Sequence, residues 1–350
     1  MSTVLSPMPL DGGLSPAPAS GYRPGGMQPY PHPLPNDRAR RKHAAIALLS
    51  TLVTAAMLTV IAFHAYIAWT LAHPYVAPLY ANPKLAAGLD YRDVAFPSAS
   101  GRTTVHGWYI PAPVQSERTV VFSHGYGANR EETWVPMYEL AELLHGLRYN
   151  VMMFDYGYAS SAHRSPATGG VEESQELLAS IRYAKSQGAS EIVVWGFSMG
   201  AGTALQAALQ TDDITAMILD SMFLTDSDTL YHNISQLMPL PRYPSLMLIE
   251  KLMPLWSGIR LDDIPADRVK TTDYRIPIYL MHGTDDNKAP VGNAEAIAAR
   301  QTHPLSGSWV VSGGKHELLF QVHPKEYIER AAVFLAQVHR QAAAEAATAA

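Results

Sequence analysis

Ser198 is the residue best placed to do chemistry in this chain. It stands at the centre of Gly196-Phe197-Ser198-Met199-Gly200, which follows the apolar run 192–195 and opens the Ala-rich run 201–209. A G-x-S-x-G pattern between a strand and a helix is a nucleophile elbow. The small residues let strand and helix approach while the serine hydroxyl is pushed out above the sheet edge. A serine is a poor nucleophile until a base takes its proton and donors hold the oxyanion that its attack creates. The Met199 N–H, at the positive end of the following helix, can face that developing charge. The other reading of Ser198 is a plain helix N-cap.

Such a serine calls for an acid and a histidine later in the chain, in that order and each just after a strand. The run 276–281 leads into His282-Gly283-Thr284-Asp285-Asp286-Asn287-Lys288-Ala289-Pro290, and the run 309–311 leads into Ser312-Gly313-Gly314-Lys315-His316-Glu317. His316 lies in a Gly-rich loop rather than on an apolar face. As general base it takes the Ser198 proton and returns it to the leaving group, while a carboxylate fixes its tautomer and stabilises the imidazolium.

An earlier run, 119–122, leads into Ser123-His124-Gly125-Tyr126-Gly127-Ala128-Asn129. With this loop, with Gly88-Leu89-Asp90-Tyr91, with Gly107-Trp108-Tyr109-Ile110-Pro111-Ala112-Pro113, and with Asp155-Tyr156-Gly157-Tyr158 after the run 151–154, the chain resembles an α/β-hydrolase of the serine-aminopeptidase-like branch. That branch also holds depalmitoylase-like and membrane-anchored bacterial hydrolases, and the resemblance runs from about Gly88 to about Gln341. It implies that the residue after His-Gly, Tyr126, supplies the first oxyanion N–H and Met199 the second. It also implies that the acid is the last residue of an H-G-x-x-D pattern followed by a small apolar residue and proline. That residue is Asp286, with Ala289-Pro290 completing the pattern, rather than Asp285. Asp220, which ends the run 214–219, stands where some α/β-hydrolases carry their acid. One departure touches the site: the D-Y-R-G-x-G-x-S loop of relatives reads Asp155-Tyr156-Gly157-Tyr158-Ala159-Ser160-Ser161 here, without the arginine and with Ala159 for the second glycine. The substrate geometry of relatives therefore does not carry over.

These residues need a frame that delivers them to one edge. Strand-like runs (119–122, 151–154, 192–195, 214–219, 276–281, 309–311) alternate with helix-like runs (131–145, 172–187, 199–209, 293–300, 325–341). That alternation predicts an α/β fold, a mostly parallel doubly wound sheet with helices on both faces. The run 103–110 adds antiparallel strands at one edge. Between 221 and 272 the alternation stops in a stretch rich in Met, Leu and Pro, where the resemblance implies a helical cap over the nucleophile. An apolar cap suits an acyl chain, or its side chains simply glue it to the core. Asn233-Ile234-Ser235 is a glycosylation sequon, meaningful only in a host that glycosylates exported proteins.

The first 36 residues carry nine prolines and five glycines and cannot join a core, so a disordered tail is expected through residue 43. Arg38, Arg40, Arg41 and Lys42 come next, followed by 44–72, twenty-nine residues without Asp, Glu, Lys or Arg. About twenty apolar residues suffice to cross a bilayer, so this segment is expected to be a transmembrane helix. The next Lys or Arg is Lys84. The positive-inside rule leaves the N-terminus cytoplasmic and the catalytic domain on the other side. A linker over 73–90, a hydrolase domain over 91–341 and an Ala-rich tail over 342–350 complete the expected organisation.

Residues 44–350 hold 21 Lys+Arg against 29 Asp+Glu, so nothing suggests a nucleic-acid surface. Cysteine is absent, which removes thiolate catalysis and disulfides, and no H-E-x-x-H or comparable spacing points to a metal or other cofactor. The reading is a membrane-anchored serine hydrolase acting on a small-molecule or lipid-like ester or thioester, less readily on a short peptide amide. Two rivals keep the fold: an acyltransferase that uses the same triad, and a catalytically silent scaffold that presents the cap to a partner. The intact order Ser198, Asp286, His316 argues against the scaffold.

Overall fold

Residues 37–349 are described by a computed structural model. Eight strands form one sheet: β1 Arg92–Pro97, β2 Thr104–Ile110, β3 Arg118–Ser123, β4 Asn150–Asp155, β5 Glu191–Phe197, β6 Ala216–Asp220, β7 Ile278–Gly283 and β8 Gly307–Val311. Their order is β1-β2-β4-β3-β5-β6-β7-β8, with β1, β2 and β4 joined antiparallel and every other pairing parallel. The order turns back on itself around β3, and the loops that carry the predicted site residues all leave the carboxyl ends of the parallel strands, where such sheets open a crevice. The run 103–110 supplies the expected antiparallel edge as β2, and β1 extends it.

Both faces are covered, as a parallel sheet requires. Side chains alternate across β3, so that Val121 joins one core with Phe154, Val194 and Leu219, whereas Val120 and Phe122 join the other with Met153, Trp195 and Ile218. Helices α4 Val171–Ser186, α5 Met199–Ala208 and α10 Val291–Ala298 cover the first face, and α3 Met137–Gly146, α11 Leu319–Val322 and α12 Pro324–Ala349 the second. The helix expected over 131–145 begins only at Met137, behind Pro136, because residues 129–135 are spent on the site. The last helix runs on into the Ala-rich tail, as far as Ala349. The stretch expected as a cap holds α6 Ser227–Leu237, α7 Arg242–Leu252, α8 Pro254–Ser257 and α9 Ala266–Thr271, whose Leu230, Ile234, Leu246 and Ile249 are buried on the first face.

Helix α1, Asp37–Ala72, takes in the basic cluster that the sequence reading assigned to the tail. It is a candidate transmembrane span: among the described residues it alone is long and apolar enough, with an 18-residue window of mean hydropathy 2.3, none of it buried. The Pro/Gly-rich stretch before it lies outside the described residues. The expected linker contains a short helix, α2 Pro83–Ala87, capped by Asn82.

Candidate active site

The elbow forms as its composition requires. Ser198 has φ 48° and ψ −119°, a strained conformation for a residue with a side chain, and its N–H is tied to the Asp220 carbonyl at 2.9 Å. The flanking glycines are forced by close approach: a Cβ on Gly200 would lie 1.9 Å from the Ser123 carbonyl oxygen, and one on Gly196 would lie 2.6 Å from Ala201 Cα.

Around the serine the structure brings together the residues picked from β7 and β8. His316 Nε2 is 2.9 Å from Ser198 Oγ, and His316 Nδ1 is 2.7 Å from Asp286 Oδ2. The other Asp286 oxygen accepts the N–H groups of Lys288 (2.9 Å) and Ala289 (2.8 Å). Burial pushes this carboxyl up, but hydrogen bonds from His282 and His316 outweigh it and hold Asp286 well below the usual carboxylate range. His282, which the sequence reading met only as part of a pattern, lies 3.3 Å from Asp286 Oδ2 and 2.8 Å from the Ala289 carbonyl oxygen, so the acid sits between two imidazoles. Asp285 is exposed and accepts only from Thr284 Oγ1, at 3.1 Å. Asp220 lies beneath the site, accepting from Ser221 Oγ (2.9 Å) and Tyr327 Oη (2.8 Å), with its carboxyl pushed up to about 6 by burial.

The two N–H groups expected to receive an oxyanion belong to peptide units whose carbonyls are pinned. Gly125 O accepts from Tyr158 Oη (2.8 Å), His124 Nδ1 (3.0 Å) and Ala128 N (3.3 Å). Ser198 O accepts from Ala201 N (3.0 Å), Phe223 N (3.0 Å) and Gly202 N (3.3 Å). A trans peptide points its N–H opposite to its C=O, so fixing these carbonyls fixes the directions of the Tyr126 and Met199 N–H groups. Among the described residues neither N–H has an acceptor. His124 can serve as donor because Tyr156 N–H donates to its Nε2 at 3.1 Å, leaving the proton on Nδ1. Burial lowers its pKa to about 4, which keeps the ring neutral. Tyr158 comes from the loop that departs from the family pattern, so the tyrosine there has a task of its own.

Two further carboxyls lay outside the sequence reading. Glu132 (φ 35°) and Glu317 (φ 56°) are both buried and both in the left-handed region. Glu132 Oε1 accepts the Gly125 N–H at 2.7 Å, and Glu317 Oε2 accepts from Trp134 Nε1 at 2.6 Å and lies 3.6 Å from His316 Nε2. Burial, and then the adjoining Glu317 carboxyl, raise Glu132 well above the usual carboxylate range. Glu131, beside them, accepts from Tyr80 N (2.7 Å), Ala81 N (2.8 Å) and Tyr138 Oη (2.6 Å). Their signal in the sequence, Arg130-Glu131-Glu132 before Trp134, reads as the start of a polar helix. Among the described residues no group of side chains is arranged to hold a metal ion.

Helix α6 closes over the acid loop. Asn233 Nδ2 donates to the Lys288 carbonyl at 2.7 Å and to its own helix at Thr229 O, and Gln236 Nε2 donates to the Asn287 carbonyl at 2.7 Å. The asparagine of the sequon is therefore engaged in packing.

Residues 120–330 match the model of the alpha/beta hydrolase family. The uncharacterised protein YfhR of Salmonella typhimurium is 26% identical over 233 residues, 62% of this chain and 72% of that protein. The uncharacterised protein Rv2307c of Mycobacterium tuberculosis is 25% identical over 226 residues, 64% of this chain and 71% of its own. Among solved structures, the esterase Pf2001 of Pyrococcus furiosus superposes with a TM-score of 0.62 at 24% sequence identity, covering 77% of this chain and 98% of that one.

Proposed function

We propose that this chain, which belongs to the alpha/beta hydrolase family, is a membrane-anchored serine hydrolase that cleaves ester or thioester bonds through a covalent acyl-enzyme. The observation that carries the reading is the placement of His316 between Ser198 Oγ and Asp286 Oδ2, at 2.9 and 2.7 Å. Family membership and the likeness to an esterase support a hydrolase. In the proposed cycle Ser198 Oγ attacks the substrate carbonyl as its proton passes to His316 Nε2. Asp286 holds the Nδ1 proton in place and stabilises the imidazolium. The oxyanion is received by the N–H groups of Tyr126 and Met199, whose fixed carbonyls leave no reorganisation to be made at that moment. The Nε2 proton then goes to the departing alcohol or thiol, and water repeats the sequence to release the acid.

Helix α1 is the proposed anchor, with Arg38, Arg40, Arg41 and Lys42 on its cytoplasmic side and the catalytic domain outside. Leu237, Tyr243, Leu255 and Trp256 stand exposed between β6 and β7, which suits an apolar acyl group. A fluorophosphonate, which traps an activated serine, should label the full-length protein and leave Ser198→Ala unlabelled. Equal labelling of the two would sink the assignment.

A further inference from the structure

The last turns of α1 do not simply lead away from the catalytic domain. Ile67, Ala68 and Val76 are buried in the first core, with Tyr156, Tyr158 and Met199 among its other members. A helix end leaves its final carbonyls without partners, and here the loop of Tyr126 and the segment before α4 supply them. Tyr126 Oη donates to the Leu71 carbonyl at 2.8 Å and reaches the Thr70 carbonyl at 3.3 Å, while Ala167 N–H donates to the Ala72 carbonyl at 2.7 Å. The segment that follows is stitched to the same loop: Asn129 Nδ2 donates to the Ala77 carbonyl at 2.9 Å, and the N–H groups of Tyr80 and Ala81 donate to Glu131.

The same stretch carries the residues that mark a membrane surface. Upstream, Met57, Leu58, Val60 and Phe63 are all exposed, as lipid-facing side chains would be. Tyr66, Trp69, Tyr75 and Tyr80 are exposed too, and amphipathic rings of this kind settle at the headgroup level. Leu71 lies about 7 Å beyond Tyr66 along the helix axis. From its carbonyl the path runs through the Tyr126 side chain to Gly125, where an added Cβ would stand 3.3 Å from Ser198 Cβ. The whole path from Leu71 to Ser198 is under roughly 20 Å, against a diameter of about 50 Å for a domain of this size.

We propose that residues 66–81 form a rigid collar at the membrane interface, bonded to the loop that carries Tyr126, and that the enzyme's substrates are acyl esters still anchored in that same leaflet. This rests on the reading of α1 as a span and of Ser198 as nucleophile, and adds to it where the scissile bond must lie. A flexible tether would let the site reach esters at any height. A collar fixed by hydrogen bonds to the site loop does not.

The test uses the full-length protein in vesicles of phosphatidylcholine with a minor share of phosphatidylglycerol. The probes are fluorogenic octanoyl esters carried on a dioleoyl lipid through ethylene-glycol spacers of increasing length, with a soluble butyryl ester as reference. The ester at headgroup level should turn over at least about tenfold faster than one raised by roughly 40 Å, and the same lipids in separate, enzyme-free vesicles should react at least about tenfold more slowly than those beside the enzyme. A rate that is flat or rises with spacer length, with the soluble ester still cleaved, would overturn the collar and leave the hydrolase reading standing. No cleavage of the soluble ester together with no fluorophosphonate labelling of Ser198 would remove the hydrolase reading, and the collar's substrate class with it.

Discussion

Replacing Asp286 by asparagine should lower kcat by about four orders of magnitude, close to 5 kcal/mol of lost transition-state stabilisation, with the fold intact. One carboxylate oxygen faces His316 Nδ1 at 2.7 Å and the other accepts the Lys288 and Ala289 N–H groups at 2.9 and 2.8 Å. Asparagine keeps the second task, because its amide oxygen still accepts the two N–H groups and holds the loop. Its amide nitrogen then faces His316 as a donor. That forces the imidazole proton onto Nε2, where it can no longer accept from Ser198 Oγ. Asp285→Asn changes only an exposed carboxylate bonded to Thr284, and its kcat should stay within about twofold of wild type. Asp220→Asn disturbs a carboxyl that reaches Ser221 and Tyr327 but not His316, so it should act on stability before rate. The assay is hydrolysis of a short chromogenic ester by detergent-solubilised full-length protein, with thermal melts to establish folding. A severe loss in Asp285→Asn, or a loss under about tenfold in folded Asp286→Asn, would refute the reasoning.

Tyr158→Phe removes one of three donors to the Gly125 carbonyl, and should lower kcat about tenfold while KM moves less than about twofold; a raised KM at unchanged kcat would show that the hydroxyl binds substrate instead. Gly200→Ala places a Cβ 1.9 Å from a backbone oxygen and should cost about 3 kcal/mol or more, so a wild-type Tm would contradict the packing at the elbow. Glu176, buried under the Gly157 N–H, has its pKa raised from 4.5 to about 8, first by burial and then by Glu173. A carboxyl whose folded pKa is raised binds its proton more tightly when folded, so the stability it contributes is full below pH 4.5 and is lost as pH rises towards 8. Glu176→Gln should flatten the fall in urea midpoint between pH 5 and 8, a difference on the order of 3 kcal/mol; parallel slopes would argue that the group is ionised throughout. Protease added to intact cells or spheroplasts should reach the catalytic domain and spare the N-terminal tail. Full protection of the domain in a membrane-bound protein would invert the topology, and recovery of intact chain in the soluble fraction would remove the anchor.

The sequence by itself determined the frame and the order of parts. Alternating apolar runs specify strands and helices locally, and the elbow needs only its five residues and their flanks, so Ser198, His316 and the stretch that holds Asp285 and Asp286 could be picked out from loop positions after strands. The apolar run of α1 was legible because a charge-free stretch of that length stands out from composition alone. Only the tertiary structure decided what the neighbouring side chains do. Asp285 and Asp286 differ by one position, and the sequence separates them through resemblance to a pattern, whereas in the fold one faces solvent and the other two imidazoles. Residues 131–136 carry a helical composition, yet Glu131 is claimed by backbone donors fifty residues upstream and Glu132 by Gly125. Tyr158 steadies Gly125 from 33 positions away, and Tyr126 caps a helix carbonyl 55 residues before it. Periodicity records which face of an element is buried, because burial repeats with the turn of the helix or the pleat of the strand. A single hydrogen bond between distant loops repeats nothing, so it leaves no trace in the sequence until the fold brings its two ends together.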